Sequence, residues 1–343
     1  MTSRLTTTTL AVVAVAALLA GCVRGENGEA GAAAAEGGRW SDTELTIDFA
    51  TYNPLSLIIK EQGWLEEELG EDVTVTWIQS AGSNKANEAL RAGAVDVGST
   101  AGSAALLARA NGSPIKTILL YSQPEWSAIV VTQDSDIDSV AELRGRSVAA
   151  TKGTDPYFFL VQALGAAGLG LDDIEVQNVQ HADGRTALEN GSVDAWAGLD
   201  PIMAASEIES GSRLIYRNID FNTYGFLNAT EEFVTEHPDL AQVVVNAYET
   251  AREWAAEHPE ETVRILAEAS GIAPEVAEKV LIERTVLDRD PTPGPEQAAV
   301  LEVVGPLFVE SGDVPDQEAV DRALGSLFDT TFIEKADPLA VGR

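Results

Sequence analysis

The chemistry this chain can offer lies in five short turns rather than in a catalytic cluster. Thr51-Tyr52-Asn53-Pro54, Ser80-Ala81-Gly82-Ser83-Asn84, Ser99-Thr100-Ala101-Gly102, Thr151-Lys152-Gly153-Thr154-Asp155 and Asp200-Pro201 each follow a β-rich run and open a helical one. Gly, Ser and Thr dominate them, so a ligand can approach the backbone and find hydroxyl donors. The first N–H groups of a helix lack intrahelical partners and carry about half a positive charge, so several such turns brought together favour an anion. A site of amides and hydroxyls needs no Arg or Lys, which suits a formal net charge of -33. The candidate ligand contacts are Tyr52, Asn53, Ser83, Thr100, Ala101, Thr154, Asp155 and Asp200. Trp126, after Gln123-Pro124-Glu125, is a candidate to stack on a ligand's apolar part. Structural roles stay open for the same residues. Asn53, Ser83, Asp155 and Asp200 fit as helix caps, Thr100 and Thr154 as turn residues, and Trp126 as core. Asp200 would repel an anion at short range, so inside a cleft it calls for a cationic group such as a ligand amine.

Other chemistries find no support. The chain has no H-E-x-x-H, G-x-S-x-G, Walker loop or complete dinucleotide fingerprint, which argues against an enzyme. Its only cysteine, Cys22, allows neither a disulfide framework nor a thiolate zinc site. His181, His237 and His258 are far apart, and the last two precede prolines at helix boundaries. No metal or cofactor is expected. The acidity disfavours nucleic acid and anionic membrane surfaces as partners.

The elements that must position the turns alternate. Strands are expected over Leu45–Ala50, Val73–Gln79, Val95–Ser99, Ile115–Tyr121 and Ser127–Thr132, with helices near Leu55–Leu69, Ser83–Ala92 and Ser103–Ala110. A second series places strands at Ser147–Ala150, Glu175–Val179, Asp194–Leu199 and Leu214–Tyr216. Its helices lie near Pro156–Ala167, Asp183–Asn190 and Pro201–Ser210. Such alternation predicts an α/β fold with parallel sheets covered on both faces. From Thr230 onward the pattern is almost purely helical, punctuated by prolines. Two echoes link the series. Ala89-Leu90 to Val95-Asp96 matches Ala187-Leu188 to Val193-Asp194, and Asn53-Pro54 after a strand matches Asp155-Pro156 after a strand. They predict two similarly built lobes, 41–130 plus 225–330 and 131–224. The β-rich stretches Trp126–Thr132 and Thr223–Ala229 would form a two-stranded hinge, and the C-terminal helices would complete the first lobe.

The N-terminus reads as an export signal. Arg4 precedes an apolar run from Leu10 to Leu19, too short to span a bilayer permanently, and then Leu19-Ala20-Gly21-Cys22. That tetrad resembles the lipobox of bacterial lipoproteins. The resemblance implies cleavage after residue 21 and a lipid on Cys22, anchoring the chain at the outer face of the cell membrane or in the periplasm. Residues 22–40, rich in Gly, Ala and Glu, would be a flexible tether.

From residue 44 to about 330 the chain resembles the substrate-binding proteins of ABC importers for aliphatic sulfonates, near the taurine and nitrate binders. Gly63-Trp64-Leu65-Glu66, Ala81-Gly82-Ser83, Gly93-x-x-Asp96-x-Gly98, Lys152-Gly153-Thr154 and the run from Ala182-Asp183 through Gly191-Ser192-Val193-Asp194-Ala195-Trp196 to Asp200-Pro201 carry the resemblance. It departs at Thr100-Ala101-Gly102-Ser103, where an acidic residue is frequent, and at Leu199, where Trp is. The resemblance implies a two-lobed periplasmic-binding-protein fold of type II that closes on a small anionic solute and delivers it to ABC permease subunits. An aliphatic sulfonate is the first choice; nitrate, bicarbonate and a thiamine-precursor pyrimidine follow, with an enzyme or sensor on the same fold as the other class.

Overall fold

The computed structural model describes residues 39–342, so the expected signal peptide, Cys22 and nearly all of the tether lie outside the described residues. The first part of the chain alternates β1 (Glu44–Phe49), α1 (Pro54–Gln62), α2 (Trp64–Leu69), β2 (Thr74–Gln79), α3 (Ser83–Arg91), β3 (Val97–Ala101), α4 (Gly102–Ala110) and β4 (Ile115–Pro124). The second contains β5 (Ser127–Val131), β6 (Ser147–Ala150), α5 (Asp155–Ala166), β7 (Glu175–Asn178), α6 (His181–Glu189), β8 (Ala195–Leu199), α7 (Ile202–Ser210) and β9 (Arg213–Tyr216). The chain then returns through β10 (Gly225–Thr230) to α8 (Glu231–Glu236), α9 (Pro238–Glu257), α10 (Pro259–Ser270) and α11 (Pro274–Glu278). It ends with β11 (Thr285–Val286), α12 (Pro295–Glu310) and α13 (Gln317–Leu327).

Two sheets result, ordered β2-β1-β3-β10-β4-β11 and β7-β6-β8-β5-β9. Pairing is parallel among β1, β2 and β3 and among β6, β7 and β8. β10 and β5 run antiparallel to their neighbours, so each sheet is mixed rather than purely parallel. The reason is connectivity: each reversed strand enters from the other lobe. Leaving β11 aside, both orders read second, first, third, inserted, fourth. The echo therefore marks a repeated construction, and its aspartates do the same work in both copies. Asp96 accepts from Thr46 N–H at 2.7 Å while its own N–H donates to Thr46 O at 2.8 Å. Asp194 accepts from Ser147 N–H at 2.8 Å and donates its N–H to Ser147 O at 2.9 Å. Each pins the start of the third strand to the start of the first.

Three expectations shift. The helix expected over Leu55–Leu69 breaks at Gly63, whose φ of +67° suits glycine and closes α1 with an N–H bond to Ile59 O. The third strand runs on to Ala101, which puts Thr100 inside β3. The short β11, invisible to periodicity at two residues, pairs with Gln123 and Pro124 at the end of β4.

The C-terminal helices cover the first sheet on both sides. α9 packs on α1, burying Leu55, Ile58 and Ile59 with Val244, Ala247 and Tyr248, while α12 and α13 pack on α4. One apolar bridge joins the lobes there: Phe308 of α12 meets Phe158 of α5 edge-on, with ring centres 4.7 Å apart.

Inside the first sheet Asp48 is fully buried. Its Oδ1 accepts from Ser99 N–H and Ser99 Oγ–H, and Oδ2 has no partner among the described residues. Burial pushes this carboxyl up to about 6. The native state then holds a proton that the unfolded chain has lost between pH ~4 and ~6, so stability falls as pH rises through that window. Asp48→Asn keeps the Oδ1 acceptor and removes the penalty. Its stability relative to wild type, from urea unfolding, should gain about 2–3 kcal/mol between pH 4 and pH 7.5. A difference independent of pH would refute this.

Candidate functional site

The chain crosses between sheets twice, through Glu125-Trp126 from β4 to β5 and through residues 217–224 from β9 to β10. The crossings lie side by side, since Ser127 N–H donates to Asn222 Oδ1 at 2.8 Å. The stretches expected to form the hinge flank them, one mostly as β5 in the second sheet and the other mostly as β10 in the first.

Against the crossings sits Asp155, the first residue of α5, 1% exposed. Its Oδ1 accepts from Ser103 Oγ–H and Thr223 Oγ1–H, each at 2.7 Å. Its Oδ2 accepts from Thr223 N–H at 2.7 Å and Trp126 Nε1–H at 2.8 Å. Ser103 N–H in turn donates to Thr223 Oγ1. One carboxylate of the second lobe thus collects donors from α4 of the first lobe and from both crossings. Burial raises its pKa and the four donors pull it back. Asp155 is no helix cap; Thr154 holds the N-cap position of α5, and its hydroxyl donates to Thr151 O.

The other candidates gather around this node. Trp126, 3% exposed, packs edge-on against Tyr52 with ring centres 6.0 Å apart, and its carbonyl accepts from Asp200 N–H. Tyr52 O–H donates to Ser99 O. Ser83 Oγ accepts from Ala101 N–H at 2.9 Å, joining the turns before α3 and α4; Gly82, not Ser83, is the N-cap of α3. Asn53 does cap α1, accepting from Ser56 N–H, and its amide donates away from the seam to Tyr248. The Thr100 hydroxyl is held within the first lobe, donating to Ala101 O and accepting from Asn228.

The cation that Asp200 needs comes from the protein itself. Arg284, just before β11, places Nη1 3.2 and 3.1 Å from the two Asp200 oxygens, and its Nη2 bonds Glu207 of α7. Asp200 Oδ1 also accepts from Ala204 N–H in the first turn of α7. Burial pushes the Asp200 carboxyl up while Arg284 draws it down. Both members are buried, so removing Arg284 strands the Asp200 charge, a loss of about 3–5 kcal/mol in comparable pairs. This bridge is a further tie between the lobes.

Two further residues complete the seam. His181 opens α6 in the second lobe and is 1% exposed; a methyl group placed on Gly82 of the first lobe would come within 3.1 Å of its Nε2. A methyl group on Gly153 would lie 3.9 Å from Asn84 Cβ. The turns that start α3 and α4 in one lobe therefore face those that start α5 and α6 in the other. The starts of four helices meet here; the Ala101, Gly102 and Ser103 N–H groups at the start of α4 donate to Ser83 Oγ, Tyr224 O and Thr223 Oγ1, and the starts of α3, α5 and α6 are left as the arrangement suited to a small anion. The Gly and Ser of the turn before α3 mark it in the sequence, whereas its counterpart before α6 carries no such mark; the repeated construction is the signal that points to His181. Among the described residues no group of three or more His, Cys, Asp or Glu is arranged to hold a metal, and no helix is long and apolar enough to cross a membrane.

Residues 56–262 match the family described as NMT1/THI5 like. The chain belongs to that family. It is 28% identical over 263 residues to an aliphatic sulfonates-binding protein of Escherichia coli (strain K12), covering 76% of this chain and 82% of that protein. A namesake from Bacillus subtilis (strain 168) is 29% identical over 277 residues, with 79% and 81% covered. Among solved structures the alkanesulfonate-binding protein SsuA from Xanthomonas axonopodis pv. citri, bound to MOPS, matches with a TM-score of 0.74 and 24% identity, covering 82% of this chain and 98% of that one. The NMT1/THI5-like chain thus has the two-lobed periplasmic-binding-protein fold. That fold also carries the desulfurization enzyme DSZB, at a TM-score of 0.63 and 16% identity, so architecture alone does not separate binding from catalysis.

The Asp155 node makes a sharp prediction. Asp155→Asn keeps an acceptor for Ser103 and Thr223 Oγ1 but turns an NH₂ toward Thr223 N–H and Trp126 Nε1–H. Loss of two bonds to a charged acceptor should cost about 3 kcal/mol or more, read as a lower urea midpoint. An unchanged midpoint would show that the node does not hold the lobes.

Proposed function

We propose that this chain is the extracytoplasmic solute-binding component of an ABC importer and that it captures a small anion, first of all an aliphatic sulfonate, between its lobes. The observation carrying this reading is the meeting of the first turns of α3, α4, α5 and α6 across the seam. Membership of the NMT1/THI5-like family and the names of the sulfonate-binding relatives support it. Backbone N–H groups at Ser83 and Thr154 and the rings of Tyr52 and Trp126 are the contacts we assign to the ligand, while Ala101, whose N–H donates to Ser83 Oγ, ties their turns together. Asn53, Thr100, Asp155 and Asp200, whose side chains are engaged within the protein, hold those contacts in place.

A sulfonate suits such a site because its three oxygens spread charge over many weak donors and need no single strong cation. Two lobes linked by adjacent crossings can close on it and present a closed face to permease subunits. The reading is of capture without turnover. It also places the protein outside the cytoplasm, held to the membrane by lipid on Cys22 after removal of residues 1–21.

Thermal unfolding against alkanesulfonates, 2-aminoethanesulfonate, nitrate, bicarbonate and pyrimidines tests the ligand class. A sulfonate at a thousand times its Kd should add about 4 kcal/mol, while a matched carboxylate adds little. The sulfonate should be recovered chemically unchanged after incubation. Stabilisation only by nitrate, bicarbonate or a pyrimidine would reassign the ligand, and conversion of the sulfonate would make the protein an enzyme. Separately, Cys22→Ala should move the protein from the membrane fraction to the soluble one; a variant still in the membrane fraction contradicts the anchor.

A further inference from the structure

Resting on the proposed function, we infer that Asn84 and His181 form a subsite that reads a hydrogen-bond donor on the ligand. It would favour sulfonates bearing an amine or hydroxyl over plain alkanesulfonates.

The tautomer of His181 follows from its neighbours. Thr151 has one hydroxyl hydrogen, and it goes to Val179 O at 2.7 Å. The 3.2 Å contact between Thr151 Oγ1 and His181 Nδ1 must therefore use a proton on Nδ1. Burial lowers the ring's pKa to about 4, so the ring is neutral near pH 7 and Nε2 is a bare acceptor. That atom is buried and has no partner among the described residues. Asn84 Oδ1 is in the same condition. Both press on the bare backbone of Gly82, whose φ is +147°: a methyl group there would come within 3.0 Å of Asn84 Oδ1 and 3.1 Å of His181 Nε2, too close for either.

Two unpaired acceptors, one from each lobe, meet beside the Gly82 backbone. A buried acceptor without a donor is costly, and an N–H or O–H reaching both would relieve both. A sulfonate oxygen would be repelled there. The free first-turn N–H groups of α3 and α5 lie beside it, Asn84 itself being in the first turn of α3 and close to Gly153. The seam therefore offers donors and, next to them, acceptors. That pattern matches a short molecule with an anion at one end and a donor at the other. Asp200, the other acceptor the sequence suggests for an amine, is already committed to Arg284.

The test is calorimetric titration of the intact chain with ethanesulfonate, 2-aminoethanesulfonate and 2-hydroxyethanesulfonate. Wild type should bind the amino and hydroxy compounds at least tenfold more tightly than ethanesulfonate. His181→Phe, which keeps an aromatic ring without Nε2, should bring that ratio toward one. Asn84→Ala, at a half-buried helix position that alanine tolerates, should do the same and carries the test should the buried substitution fail to fold. Equal affinity for all three sulfonates in wild type overturns the subsite and leaves the proposed function standing. Failure to bind any of them overturns both. A ratio unchanged by either variant, or an equal loss for all three ligands, overturns the subsite as well; the equal loss would mean that the Asn84 amide is turned the other way and donates to His181 as a clasp.

Discussion

The molecule's two halves are organised around a buried negative charge with no cation beside it. Asp155 is stabilised by four directed donors, drawn from the opposite lobe and from both chain crossings. Because a buried carboxylate tolerates little misplacement of its donors, the node fixes where α4, α5, Trp126 and Thr223 stand relative to one another. Trp126 then passes this order outward. Its ring leans on Tyr52 before α1, and its carbonyl holds the Asp200 backbone before α7. Helix starts in both lobes are thereby indexed to one point.

That arrangement settles an electrostatic tension. A strongly acidic chain with aspartates at the seam looks hostile to an anion. The structure answers by giving each seam carboxylate its own partners: donors for Asp155 and Arg284 for Asp200. With these charges satisfied internally, the first-turn amides of α3 and α5 remain the polar groups that can face a guest. Arg284 reaches the seam from beside β11, so even the C-terminal segment takes part.

Much of the architecture was legible in the sequence because it is written in periodicity and punctuation. The alternating strands and helices, the paired Val-Asp starts and the glycine-closed helices are local signals, and they placed four of the five turns; the third lies within β3 as far as Ala101. Side-chain direction was not legible. Asn53-Pro54 and Asp155-Pro156 look equivalent as text, yet Asn53 caps its helix while Asp155 turns to the other lobe. Arg284 could not be matched to Asp200, because an ion pair across 84 residues leaves no trace in spacing. His181 reads in the sequence as a lone histidine, although it stands where the second copy repeats the turn before α3. The reversed strands β5 and β10 were seen as β-rich but not as antiparallel, since direction depends on which lobe the chain has just left.

The adjacency of the two crossings has a mechanical consequence. A pair of neighbouring links resists twisting and sliding but permits swinging, like two knuckles on one door pin. Each lobe keeps its own sheet and aspartate-pinned strands, so the easy motion is a change of angle between stiff leaves. Whatever docks against both rims at once would then sense the presence of a guest as a change in their spacing, without needing to touch the guest at all.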